Sequence, residues 1–170
     1  MLTTDLKPSK GKIFISDKKD SQFIDGLENE KSYWKSIGYC PQFDAIYDEL
    51  TPSEHIRLFA RLKGIQSKFE DNLCQCLLER LDLLNYENKP CSSLSLGNKR
   101  KLSTAISLVG NPSIVLLDEP TSGMDPMSRR RLWQEIINLT RRKDHSVLLT
   151  SHSMEECENL CTKLVSSLIS

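Results

Sequence analysis

Four polar residues stand where a phosphate-handling site would need them. Asp118-Glu119 closes the apolar run IVLL at 114–117, His152 follows a second apolar run, SVLLT at 146–150, and Gln42 follows a short run that ends in Cys40-Pro41. A carboxylate at the end of a buried strand can hold Mg²⁺ directly or through water, because Mg²⁺ takes one or two carboxylates together with phosphate oxygens. An adjacent glutamate can orient or deprotonate an attacking water. Gln42 could lend a neutral oxygen to the metal or the water, and His152 could touch a γ-phosphate. Taken singly, each residue has a plainer use: an acidic pair caps a helix, a histidine packs, and Gln42 alone means nothing. Their joint occurrence at carboxyl ends of strands carries the signal, because open α/β sheets collect ligands there. Pro120, Gly123 and Asp125-Pro126 would shape the loop between them.

The elements that must position these groups are legible around them. Lys12–Ser16 (KIFIS) reads as a short strand leaving the turn Pro8-Ser9-Lys10-Gly11, and Ser36–Tyr39 as a second strand ended by Cys40-Pro41. The stretch from Asp17 to Lys35 is polar, charged and aperiodic, and reads as a surface excursion. Thr51-Pro52-Ser53-Glu54 is a capping box with proline in the first turn, opening a helix with Ile56, Phe59, Ala60 and Leu62 on one face and a stop at Gly64. A second helix from about Lys68 carries Phe69, Leu73, Leu77, Leu81 and Leu84 at helical spacing. With no strand between them, the two helices look like an insert.

The last third alternates. A helix over Asn98–Val109 stops at Gly110-Asn111-Pro112, and Ser113–Leu117 is too short for a helix and reads as a strand buried on both faces. Asp125-Pro126 caps a helix whose buried stripe is Leu132, Trp133, Ile136, Ile137 and Thr140, and Ser146–Thr150 is another buried strand. Ser153-x-x-Glu156 forms a second capping box, ahead of Met154, Cys157, Leu160, Cys161 and Leu164 on one side. Strand, helix, strand, helix with buried strands predicts a parallel α/β sheet.

Composition excludes several classes. The chain has 170 residues, 23 basic and 23 acidic, with net charge zero, and neither half is polarised toward nucleic acid or acidic lipid. No apolar run reaches the roughly 20 residues that span a bilayer. The longest uncharged stretch, Leu102–Leu117, is broken by Gly110-Asn111-Pro112, and Met1–Asp5 does not read as a signal peptide. The six cysteines therefore read as reduced cytosolic thiols; Cys74 and Cys76 are too close for a zinc C-x₂-C knuckle, and Cys157 with Cys161 has no nearby histidine pair.

The order Gln42, then LSLGN at 94–98, IVLLDEP at 114–120, SGMD at 122–125 and His152 resembles the nucleotide-binding domain of ABC transporters. CPQFDAIYDEL at 40–50, GNKRKLSTAI at 97–106 and SHSMEECENLC at 151–161 resemble subfamily A, the lipid-exporting full transporters. The resemblance covers roughly residues 1–164. It implies a P-loop NTPase-like ABC ATPase domain, α/β with a helical subdomain at about 51–110, that binds ATP and Mg²⁺. By the same resemblance Gln42 is the Q-loop glutamine, which senses Mg²⁺ and contacts the transmembrane half, Asp118 the Walker B aspartate at the metal, and Glu119 the catalytic base. His152 is the switch histidine and Asp125 the D-loop aspartate. Ser95, Gly97 and Asn98 belong to the signature loop that meets a γ-phosphate held by the opposite domain, where a helix N-terminus favours an anion.

The implied partners are a second nucleotide-binding domain and transmembrane domains. The implied activity is ATP hydrolysis coupled to lipid movement, and the implied location is the cytoplasmic side of a membrane, or the cytosol if this chain is made alone. A short, non-catalytic isoform that binds and modulates a full transporter is the alternative. A ribosome- or DNA-acting ABC protein is disfavoured by the lack of a basic linker.

Three departures from the family pattern stand out. No G-x-x-x-x-G-K-[ST] spacing occurs among the seven glycines, and Met1–Leu6 resembles the end of the phosphate-loop helix, so the expectation is an incomplete domain without its Walker A segment, its Ser113–Leu117 strand short of a sheet neighbour. Leu96 stands where the family has the first glycine of Ser-Gly-Gly, where a side chain would crowd a phosphate. After Leu164 the family continues with a strand pair and a regulatory tail that Val165–Ser170 does not match. Three or more charge-assisted hydrogen bonds to phosphate are worth upwards of ~5 kcal/mol together, about a thousandfold in affinity. The purified chain is therefore expected to bind ATP negligibly in calorimetry; a low-micromolar dissociation constant would refute this.

Overall fold

The computed structural model describes residues 10–16, 23–26, 28–141 and 145–163; the segment at 1–6 and the tail from Leu164 lie outside them. Strands β1 (Phe14–Ser16) and β2 (Phe23–Asp25) form an antiparallel pair with Ile15 opposite Ile24, and helix α1 (Glu30–Ser36) leads into β3 (Ile37–Cys40). The stretch expected to be a surface excursion thus contains a strand and a helix. In α1, Glu30, Lys31, Ser32 and Lys35 are exposed, while Tyr33 is fully buried beside Ile15, Ile37 and Leu116. A single buried aromatic anchors this short helix, and it leaves no periodicity to read.

Helices α2 (Pro52–Leu62) and α3 (Glu70–Arg80) follow without an intervening strand. The Thr51 capping box is complete: its hydroxyl accepts from the Glu54 N–H at 3.2 Å, and the Glu54 carboxylate accepts from the Thr51 N–H at 2.8 Å. Leu84 lies beyond α3 in a 3₁₀ turn. Helix α4 (Leu96–Ser107) begins two residues earlier than its periodicity suggests, because Ser95 is the cap. Strand β4 (Ile114–Asp118), helix α5 (Pro126–Thr140), strand β5 (Ser146–Thr150) and helix α6 (Met154–Leu160) complete the chain. The buried stripe of α5 is Leu132, Trp133, Ile136 and Leu139; Thr140 is exposed.

The sheet is parallel, in the order β3-β4-β5. β4 therefore has a neighbour on both sides, and the expectation that it would lack one is overturned. Its side chains alternate between two cores. Val115 and Leu117 join Cys40, Leu102, Leu132 and Ile136 on one face, and Leu116 joins Ile15, Tyr33 and Ile37 on the other. β5 is expected to be buried on both faces and is half-buried on one. Val147 and Leu149 reach the first core, while Leu148 is 50% exposed because the β1-β2-α1 layer covers β3 and β4 only. Gly38 sets the spacing between sheet and helix: a Cβ there would lie 1.8 Å from the Ser107 carbonyl at the end of α4. The six cysteines are unpaired, and no helix among the described residues is long and apolar enough to cross a membrane.

His55 on α2 ties the segment after β3 to the helical layer. Its Nε2 accepts from the Tyr47 N–H at 2.9 Å, and its Nδ1, which must then carry the proton, donates to the Thr51 carbonyl at 3.0 Å. Burial pushes its pKa below the ordinary value, against the opposing pull of Thr51 and Glu54. The imidazole is neutral in the fold and titrates near ~6.5 when unfolded. Its contribution to stability is complete above that pH and is lost as pH falls through ~6.5 toward the depressed folded value. Urea unfolding between pH 7.5 and 5.5 should show the wild type losing stability that His55→Gln, already weaker at pH 7.5, does not lose.

Candidate functional site

The parallel register brings the end of β4 beside the end of β5, pairing Asp118 with Thr150. The Thr150 hydroxyl donates to Asp118 Oδ1 at 2.5 Å, which orients that carboxylate and leaves Oδ2 for another partner. One residue on, Glu119 has φ +49, a strained left-handed conformation for a residue with a side chain. Its backbone is fastened on both sides. The N–H donates to the Thr150 carbonyl and hydroxyl, each at 3.2 Å, and the carbonyl accepts from Arg100 Nη2 at 2.9 Å and from the Ser122 N–H at 3.2 Å. The turn aims the Glu119 carboxylate at His152, whose Nδ1 lies 2.7 Å from Oε2. Asp118, Glu119 and His152 thus form one cluster at the carboxyl end of the sheet, with Thr150 as a member that the sequence reading missed. The alignment of two strand ends was the only signal for it.

Gln42 is tied to this arrangement through its backbone. Its side chain is exposed, and its recorded link to the cluster runs through its backbone carbonyl, which accepts from Arg100 Nη1 at 3.1 Å. Arg100 is the larger omission. It lies within GNKRK, is not among the residues singled out from sequence, and is 2% exposed and hydrogen-bonded to two loops.

The remaining predicted residues gather elsewhere, at the starts of α4 and α5. Ser95 Oγ accepts from the Asn98 N–H at 3.2 Å, so Gly97 and Asn98 lie within the first turn of α4 rather than ahead of it. Asp125 caps α5, accepting from the Met127 and Ser128 N–H groups at 3.0 Å each. Hydrogen bonds from the Ser128 N–H and hydroxyl, with that from Met127, hold its carboxyl below the usual carboxylate range. Ser95, Asn98 and Ser128 face a cavity of about 300 Å³ shared with Lys101 and Arg131. Leu96, 58% exposed, lies over the loop after Glu119, with Cδ2 2.9 Å from where a Cβ on Gly123 would stand.

Glu156 has a role other than the one its capping pattern predicts. Ser153 Oγ accepts from its N–H at 3.4 Å, but the carboxylate turns inward, 1% exposed, to accept from the Thr121 hydroxyl at 2.8 Å and Trp133 Nε1 at 3.1 Å. Two buried donors engage the carboxylate, and the Ser153 N–H that a capping box would offer it donates to Ser151 Oγ at 3.0 Å instead. The result moors α6, and with it His152, to the loop that carries Glu119.

The family model described as ABC transporter matches residues 1–122. The chain belongs to the ABC transporter family. This ABC domain is 50% identical over 164 residues to "ATP-binding cassette sub-family A member 2" of Rattus norvegicus, covering 96% of the chain and 6% of that protein. It is 50% identical over 164 residues to the "Glucosylceramide transporter ABCA12" of Mus musculus, covering 96% and 6%. To the "Retinal-specific phospholipid-transporting ATPase ABCA4" of Bos taurus it is 47% identical, covering 96% and 7%. The ABC chain thus spans about 6–7% of the length of these subfamily A relatives, in agreement with the resemblance read from its motifs. Among solved structures it superposes on the ATP-binding subunit of an ABC transporter with TM-score 0.70 at 25% identity, covering 81% of this chain and 57% of that one. It also superposes on an ATP-binding cassette dimer in a post-hydrolysis state bound to ADP and Pi, with TM-score 0.78 at 22% identity, covering 93% and 69%. The fold is that of P-loop NTPase ABC domains.

The Leu96–Gly123 contact yields a test. Gly123 has φ +72, so Gly123→Ala meets both backbone strain and the leucine, and should cost about 1–3 kcal/mol in urea unfolding. In the Leu96→Gly background the same substitution should cost less, because only the backbone strain remains.

Proposed function

We propose that this domain supplies the hydrolytic half of an ATP site in a subfamily A transporter, where ATP hydrolysis drives movement of a lipid. The observation that carries the reading is the Glu119 carboxylate held 2.7 Å from His152 beside Asp118, on a strained and fully fastened backbone. The relatives' names, a glucosylceramide transporter and a phospholipid-transporting ATPase among them, support lipid as the substrate class. We read residues 51–110, which contain α2, α3 and α4, as the helical subdomain of this domain.

The donor set suits Mg²⁺ carried by a nucleotide. Asp118 offers one carboxylate oxygen already oriented by Thr150 and one free of that bond, and no group of three or more His, Cys, Asp or Glu among the described residues forms a closed metal cage. Mg²⁺ binds through few protein carboxylates when phosphate oxygens complete its shell. When bound, the metal would neutralise charge on the phosphates. Asp118 would hold it, and the exposed Gln42 side chain is the further oxygen we assign to it.

Glu119 then acts on water. In the neutral His152 ring, an Nδ1–H donated to Glu119 leaves Nε2 as an acceptor, so the pair holds a carboxylate and an imidazole side by side at the end of the sheet, suited to a water and a γ-phosphate. The starts of α4 and α5, with Ser95, Gly97, Asn98 and Asp125, present a separate surface to a phosphate on the opposing nucleotide-binding domain. Leu96 narrows that approach, so Leu96→Gly should improve nucleotide binding across a reconstructed dimer.

The decisive substitution is Glu119→Gln in the membrane transporter that carries this domain. General-base contributions of 10²–10⁴-fold set the expectation: ATP turnover and lipid export should fall about a hundredfold or more, with ATP binding retained. Turnover within a factor of about three of wild type would remove Glu119 from the mechanism.

A further inference from the structure

Arg100 projects from α4 and divides its hydrogen bonds by nitrogen. Nη1 faces the segment after β3 only, donating to the carbonyls of Pro41 (2.5 Å) and Gln42 (3.1 Å) and to Asp44 Oδ1 (2.9 Å). The other two nitrogens face the end of β4 only: Nη2 donates to the carbonyls of Asp118 and Glu119, and Nε to the carbonyl of Pro120 at 3.1 Å. A guanidinium is planar and rigid, with donors in a fixed fork. A displacement on one edge must therefore turn the plane and displace the acceptors on the other, or break charge-assisted hydrogen bonds inside a site where the side chain is 2% exposed.

The acceptors on the second edge include the carbonyl of Glu119, the residue held at φ +49. Turning that carbonyl changes the backbone angles that aim the carboxylate at His152. On the first edge, Phe43 sits between two of Arg100's partners and is 83% exposed, which gives the segment an apolar handle outside the core.

We propose that Arg100 is a positioning residue that couples the 41–44 segment to the Glu119–His152 pair, so that a partner pressing on Phe43 re-aims Glu119 within the same domain. The proposal rests on reading Glu119 as the group that acts on water. Its test reads geometry instead of turnover, so the two can fail separately.

The experiment is a double-mutant cycle on the chain, read by NMR at the His152 imidazole and the Glu119 amide. Asp44→Ala removes one acceptor on the first edge. In the wild-type background it should shift both signals. In Arg100→Lys, which keeps the charge but cannot fork, Asp44→Ala should retain less than about a fifth of that shift. Simple packing by Arg100 would give equal shifts in both backgrounds, and that result, or no shift in wild type, would overturn the proposal. Should Arg100→Lys fail to fold, Asp44→Asn alone decides: it must move the Glu119 amide, and an unmoved amide refutes the coupling.

Discussion

A buried guanidinium is the constraint from which the site follows. Taking a cation out of water costs several kcal/mol unless its donors are satisfied and an opposite charge lies near. Arg100 meets both conditions, with five backbone carbonyls around it and the Asp44 carboxylate at 2.9 Å. Losing the acceptors on either edge would strand the charge. The segment after β3, the end of β4 and helix α4 are therefore locked together more tightly than their apolar contacts would achieve. The left-handed backbone at Glu119 persists because its carbonyl and its N–H are both engaged by this frame and by Thr150.

The sheet supplies the other half of the positioning. Parallel pairing places strand ends of the same polarity side by side, so Asp118 meets Thr150, and His152 emerges two residues later over the strained turn. Among the described strands, only β4 has both faces covered and a neighbour on each side, which suits it to carry the acidic pair. The inward turn of Glu156 then fastens α6 to Thr121 and Trp133, so the chain after His152 cannot swing away from the loop after Glu119.

The polar residues fall into two groups with different surroundings. Asp118, Glu119 and His152 lie at the carboxyl end of the sheet, whereas Ser95, Gly97, Asn98 and Asp125 lie at the starts of α4 and α5. Leu96 sits between them, resting over Gly123. It packs the start of α4 against the loop that leaves the acidic pair.

The sequence by itself determined most of what depends on residues three or four apart. The Thr51–Glu54 box, the Asp125 cap, the apolar run of β4 and the alternation of strand and helix are local interactions, and they appear in the fold as read. The motif order that points to the ABC family is likewise a property of the chain. Tertiary structure decided what depends on distant partners. Arg100 is buried because acceptors 56 to 59 residues before it and 18 to 20 residues after it converge there. Glu156 abandons its cap for partners 35 and 23 residues away, and Leu148 is exposed because the β1-β2-α1 layer stops short of β5. Side-chain burial and hydrogen-bond choice are settled by which surfaces meet, and no local pattern records that.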